Sequence, residues 1–132
     1  MKLQTYTLDD IRNFDPCYDP IRHAPEGWAG TVLDVLKMDS VPADDRIWFA
    51  TRPGVLDDRT ARLFAVWCAR QALALVESPD IRSVAAVDTA ERFANGEATE
   101  DELFAAWAAA RAAARDAQVT QLITMLELTK DE

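Results

Sequence analysis

From Asn95 to Asp116 the chain reads NGEATEDELFAAWAAARAAARD, and this stretch leaves the backbone little freedom. Asn95-Gly96 is suited to the left-handed turn that ends a helix. Thr99 followed by Glu102 is a capping-box pattern, and Glu100 and Asp101 put acids in the first turn, beside the positive helix end. Alanine, which dominates the remainder, has the highest helix propensity. The segment predicts a helix from about Glu100 to Leu128, roughly 40 Å long at about 1.5 Å per residue. Leu103 and Trp107 stand at i and i+4, as do Leu122 and Leu126. Small side chains let a neighbouring helix approach closely, so the run reads as a packed structural helix whose end projects. Leu122, Ile123, Met125 and Leu126 near that end have no obvious intrachain partner.

Two more helices precede it. Ser78 is expected to cap one, with Pro79 at its first position. Ser83, Ala86, Val87, Ala90, Phe93 and Ala94 then share a stripe, opposite Asp88, Glu91 and Arg92. Upstream, DDRTARLFAVWCARQALALV has Asp57 or Asp58 as its cap. Apolar residues point in nearly every direction from Leu63 to Val76, which predicts a central helix surrounded by protein.

The first half is less regular. Thr7 before Asp9 and Asp10 predicts a short helix from Leu8 to about Phe14. Asp15 to Gly30, DPCYDPIRHAPEGWAG, carries three prolines and two glycines, and Pro pushes the residue before it away from helical backbone. It reads as a loop that wraps across the domain and buries Tyr18, Ile21 and Trp28. Helices are expected from Thr31 to about Met38 and from Pro42 to Thr51, the second stopped by Pro53-Gly54. The architecture expected is all-α: a single compact domain of five or six helices, with a Pro-rich N-terminal loop and a long Ala-rich C-terminal helix. Residues 1–55 form the looser half, and residues 56–128 a tight three-helix unit.

Charge narrows the function classes. The 132 residues hold 23 acids against 14 bases, a formal charge of −9, which repels a nucleic-acid backbone and attracts basic surfaces. Direct DNA or RNA binding is therefore not expected. No apolar stretch approaches the roughly 18 residues of a membrane span, and the opening MKLQTYTLDD has no export character. A cytoplasmic protein is expected.

Chemistry is sparse. Asp9-Asp10, Asp44-Asp45 and Asp57-Asp58 each fall at a helix start, where capping explains them better than chelation. His23 is the one histidine, and with Cys17 it offers a nucleophile–base pair without an identifiable orienting group. No metal motif, phosphate loop or cofactor signature is present, and neither an enzyme nor a cofactor is expected. Trp67, Phe93, Phe104 and Trp107 stand at core spacing; Trp28 and Trp48 are less constrained and are candidate exposed anchors. Arg111 and Arg115, one turn apart, read as a solvated face meeting Asp116. The surface feature that survives is a cluster of acids, Asp88, Glu91, Glu97, Glu100, Asp101 and Glu102, offset by Arg92 and bracketing one helix–turn–helix corner. Such a corner can be presented to a basic partner.

Residues 56–117, and within them RLFAVWCAR and AERFANGEATEDEL, resemble a helical segment of small proteins of bacteria and phages, including immunity-protein-5-like proteins. The DPCYDP and PEGW pieces resemble phage-encoded members. The resemblance implies a cytoplasmic phage-type protein that acts by binding rather than turnover. The leading expectation is a non-enzymatic inhibitor that masks a basic, nucleic-acid-handling complex of host defence, such as a CRISPR–Cas effector, an anti-CRISPR mode of action. Its expected contacts are the acidic corner, Trp28 and Trp48. A toxin-neutralising immunity protein, or a structural protein that self-associates as a homodimer through the C-terminal helix, is the alternative.

Overall fold

In a computed structural model, described here for residues 2–130, two three-residue strands close the N-terminal region. Strand β1 (Thr5–Thr7) runs antiparallel to β2 (Ala29–Thr31), with Thr5 opposite Thr31, Tyr6 opposite Gly30 and Thr7 opposite Ala29. Each strand ends in the N-cap of a helix: Thr7 caps α1 (Leu8–Arg12) and Thr31 caps α2 (Val32–Leu36). The two caps have matching geometry. The Thr7 N–H donates to Asp10 Oδ2 at 2.8 Å and the Asp10 N–H to Thr7 Oγ1 at 3.2 Å. The Thr31–Asp34 pair repeats those distances, 2.8 and 3.2 Å. Both are capping boxes with Asp in place of the usual Glu. Helix α3 (Ala43–Ala50) follows Pro42.

The strands correct the loop expected over residues 15–30, whose last residues pair with β1. Strand pairing is a contact between distant segments, and the local pattern carries no trace of it. The rest of the loop includes a 3₁₀ turn at Pro20–Arg22, with Asp19 accepting from the Ile21 N–H.

The remaining helices are α4 (Asp58–Ala74), α5 (Ile81–Ala94) and α6 (Glu100–Lys130). The fold is thus mostly helical, with six α-helices and one small sheet among the described residues, and the long C-terminal helix is present as expected. Contacts divide the chain into two compact units, Met1–Asp57 and Asp58–Glu132. Unit 1 packs Tyr6, Val32, Val35, Phe49, Ala50 and Val55 into its core. The Tyr6 and Phe49 rings meet edge-on at 5.3 Å, and Phe14 joins Phe49 at 6.1 Å, arrangements favoured by the ring quadrupole.

Unit 2 is built around α5. Asp80, not Ser78, is its N-cap: the Asp80 carboxylate accepts from the Arg82 N–H at 2.8 Å and also holds the Arg82 guanidinium. Pro79 precedes the cap instead of occupying the first helical position. At the other end Gly96 has φ +76°. Its N–H reaches Phe93 O and the Glu97 N–H reaches Arg92 O, the double bond of a Schellman motif. Thr99 and Glu102 then close the expected capping box of α6.

Helix α5 packs against both α4 and α6, while the two outer helices barely touch one another. The three helices form a layer with α5 in the middle. Among its described residues the buried apolar ones are Val66, Ala86, Leu103 and Ala113. Helix α4 is therefore not enclosed by protein: Trp67 is 60% exposed, and Leu75, just past the helix end, is 90% exposed. An all-round apolar pattern states what a helix can bury, and the layer covers one side only.

Candidate functional site

The six acids of the corner lie in unit 2, on the last turns of α5, the connecting turn and the first turn of α6. Three are already engaged. Arg70, projecting from α4, binds Asp88 at 3.0 Å and also Glu91. Glu102 accepts from Thr99 at both its N–H and its hydroxyl, and lies 3.6 Å from the Arg92 guanidinium. These bonds hold the Glu102 carboxyl below its ordinary range, the Thr99 backbone N–H being the main cause. Glu97, Glu100 and Asp101 are exposed. The corner is acidic, but Arg70 as well as Arg92 offsets it. Arg70 stands 18 and 21 positions from its partners, too far to be read as a neighbour in sequence.

The same arginine pattern ties the layer together. Arg59 donates to Asn95 at 2.8 Å, and Arg62 lies 4.8 Å from the centre of the Phe93 ring. Arg82 joins α5 to α6 through Asp116 at 3.3 Å, so Asp116 serves α5 and not Arg111 or Arg115. Exposed pairs of this kind contribute about 0–1 kcal/mol each. They set the register of the helices more than their stability.

Between α4 and α6, over α5, runs an apolar groove of about 510 Å³. Its floor is made by Val66, Ala86, Val87 and Ala90, and Arg62 and Trp107 stand at its sides. Of the four aromatic residues assigned to the core by spacing, Trp67, Phe104 and Trp107 lie at the surface, Trp67 stacked on Phe64 with centroids 6.5 Å apart and Phe104 meeting Trp107 at 5.8 Å. The fourth, Phe93, is half-buried. Further along α6, Leu122, Ile123, Met125 and Leu126 are all exposed, as their lack of a partner in the sequence pattern suggested.

Trp28 and Trp48 belong to unit 1, and neither is a free anchor. Both are half-buried and pack against the core. Gly30 admits the Trp28 indole, because a Cβ at that position would lie 2.6 Å from Trp28 Cζ2. Arg52 covers Trp48, with its guanidinium 4.6 Å from the ring centre and its Nε donating to Trp48 O. The two tryptophans wall a cavity of about 260 Å³.

Cys17 and His23 also border that cavity. Cys17 is exposed, and the His23 ring packs edge-on against Tyr18 at 5.4 Å. Asp45 stands in the first turn of α3, as expected, and also accepts from the Tyr18 hydroxyl at 2.6 Å. That partnership and burial push the Tyr18 phenol up to about 12, burial being the larger cause. Among the described residues no three His, Cys, Asp or Glu side chains are placed to hold a metal ion, and no helix is long and apolar enough to cross a membrane.

These features describe a helical chain with an apolar groove and an acidic corner on one unit and an aromatic cavity in the other. Protein-family models give no match to it, and neither curated proteins nor solved structures do.

Proposed function

We propose that the chain is a non-catalytic binding protein that acts by stoichiometric docking of a protein partner on unit 2. The observation that carries this reading is the uncovered apolar surface of unit 2: a groove over α5 is floored by Val66, Ala86, Val87 and Ala90 with Trp107 at its side, and Phe64, Trp67 and Phe104 are exposed elsewhere on α4 and α6. Exposed apolar patches on soluble proteins mark interaction sites, and tryptophans at the centre of an interface supply much of its affinity. Glu97, Glu100 and Asp101 stand at the turn of the same unit and favour a basic partner, whose encounter they accelerate. The inhibitor reading follows: a cytoplasmic phage-type protein that masks a basic, nucleic-acid-handling complex of host defence, competing with the phosphates that complex normally holds. Its phage character rests on the resemblance over residues 56–117.

The test is parallel affinity capture from expressing cells with the wild type, Trp67→Glu with Trp107→Glu, and Glu97→Lys with Glu100→Lys and Asp101→Lys. A partner recovered in one-to-one ratio, lost with the tryptophan variant and weakened with the charge variant, is the expected result. A partner retained equally by all three overturns the assignment. Self-association through α6 is the second reading, favoured by the exposed Leu122, Ile123, Met125 and Leu126. A monomer at all concentrations in sedimentation equilibrium removes it.

A further inference from the structure

The cavity of unit 1 shares no residue with the surface assigned above on unit 2, and its lining has a definite chemical bias. Its floor is apolar and buried: Leu8, Val35, Val41 and Phe49 are each under a tenth exposed. Its walls are aromatic, from Tyr18, Trp28 and Trp48, with the His23 ring beside Tyr18. The charged residues that border it are Asp44 and Asp45, on the first turn of α3; no lysine or arginine is among its lining residues. Asp44 is exposed and Asp45 half-buried, so the negative charge stands toward the rim of a greasy, ring-walled hollow.

That combination discriminates between guests. An anion is repelled by both carboxylates. A neutral apolar guest gains the floor but leaves the carboxylates partly desolvated without a counter-charge. A compact cation with an apolar shell satisfies all three parts, because its charge is attracted both to ring faces and to carboxylates while its methyl groups fill the hollow. The chain already shows the preference: Arg22 lies 4.8 Å from the Tyr18 ring centre and Arg52 4.6 Å from that of Trp48. Neither arginine lines the cavity, so the ring surface that borders it is left to a guest. The size agrees, since about 260 Å³ falls just below the roughly 300–1,000 Å³ of pockets for drug-sized ligands.

We propose that this cavity is a binding site for a small organic cation of the quaternary or alkylammonium class, held by Trp28, Trp48 and Tyr18 with Asp44 and Asp45 as counter-charges.

The test is NMR titration of the intact chain with choline and with its uncharged carbon isostere 3,3-dimethylbutan-1-ol, at matched ionic strength. The four indole N–H signals are first assigned by single Trp→Phe substitutions. Choline is expected to move Trp28 and Trp48 and leave Trp67 and Trp107 in place, with the alcohol binding roughly tenfold more weakly. Asp44→Asn, at an exposed position that leaves the Tyr18–Asp45 bond intact, is expected to weaken choline binding several-fold. Equal binding of the alcohol, equal movement of all four indoles, no movement of Trp28 and Trp48, or unchanged affinity in Asp44→Asn overturns the proposal. Because the readout lies in unit 1, it is independent of whether unit 2 docks a partner.

Discussion

Tyr18 donates its hydroxyl hydrogen to Asp45 Oδ2 at 2.6 Å, tying the Pro-rich loop to the first turn of α3 across 27 positions. Burial and this bond both favour the protonated phenol and push it up to about 12. A group raised in the folded state lends stability that is complete below its ordinary value, 10.0 for this phenol, and lost as pH rises through the folded value. Stability should therefore decline between about pH 10 and 12. In an ultraviolet alkaline titration Tyr18 should ionise near the top of that range. Tyr18→Phe should abolish that late step and lower stability by about 1 kcal/mol.

Gly30 is the point where β2 makes room for the Trp28 indole. A Cβ there would also come within 3.1 Å of Asp34 Oδ2, the oxygen that caps α2. Gly30→Ala should displace the ring and cost about 1–3 kcal/mol by overpacking, seen as a lowered thermal midpoint and a changed near-ultraviolet circular dichroism spectrum. Gly27→Ala is the contrast. Its added Cβ meets nothing within 4 Å, but φ is +83°, so the cost should be about 1–2 kcal/mol of backbone strain with the aromatic spectrum preserved.

Thr99→Ala removes the hydroxyl that accepts from the Glu102 N–H at 3.1 Å and donates to its carboxylate at 3.2 Å. A loss of about 1 kcal/mol is expected in denaturant unfolding. Glu102 in the wild type is depressed below 4.5. Its contribution is thus present above that value and disappears as pH falls through the folded one. In carboxyl NMR titrations the variant should move Glu102 upward only part of the way, since the backbone N–H of residue 99 still donates.

Leu122→Glu combined with Leu126→Glu alters two side chains that are 59% and 68% exposed. Helix content and thermal midpoint should stay within about 0.5 kcal/mol of the wild type. If α6 pairs with a second copy, sedimentation should show that variant as a monomer where the wild type associates. A large loss of stability in the monomer would show that these residues have an intrachain role.

The caps show how far local sequence reaches. Gly96, Thr99 and Glu102 act as their order in the chain predicts, because a helix end needs partners only three or four residues away. Asp80 replaces Ser78 as the cap for an equally local reason: it offers a carboxylate two positions nearer the helix and has Arg82 to hold it. The Thr31–Asp34 box repeats the local pattern of Thr7 and Asp10. Burial was another matter. Trp67 and Trp107 have core spacing and stand in the open, whereas Trp28 and Trp48, which lack such spacing, wall a cavity.

The helical class, most helix positions and the negative charge were written in the order of the amino acids, since each depends on composition or on close neighbours. The pairing of β1 with β2, the reach of Arg70 to Asp88 and Glu91, the cavity closed by Tyr18 on Asp45, and the uncovered groove over α5 were decided only when distant segments met. Hydrophobic periodicity specifies which face a helix offers, but what covers that face is a property of the assembled chain.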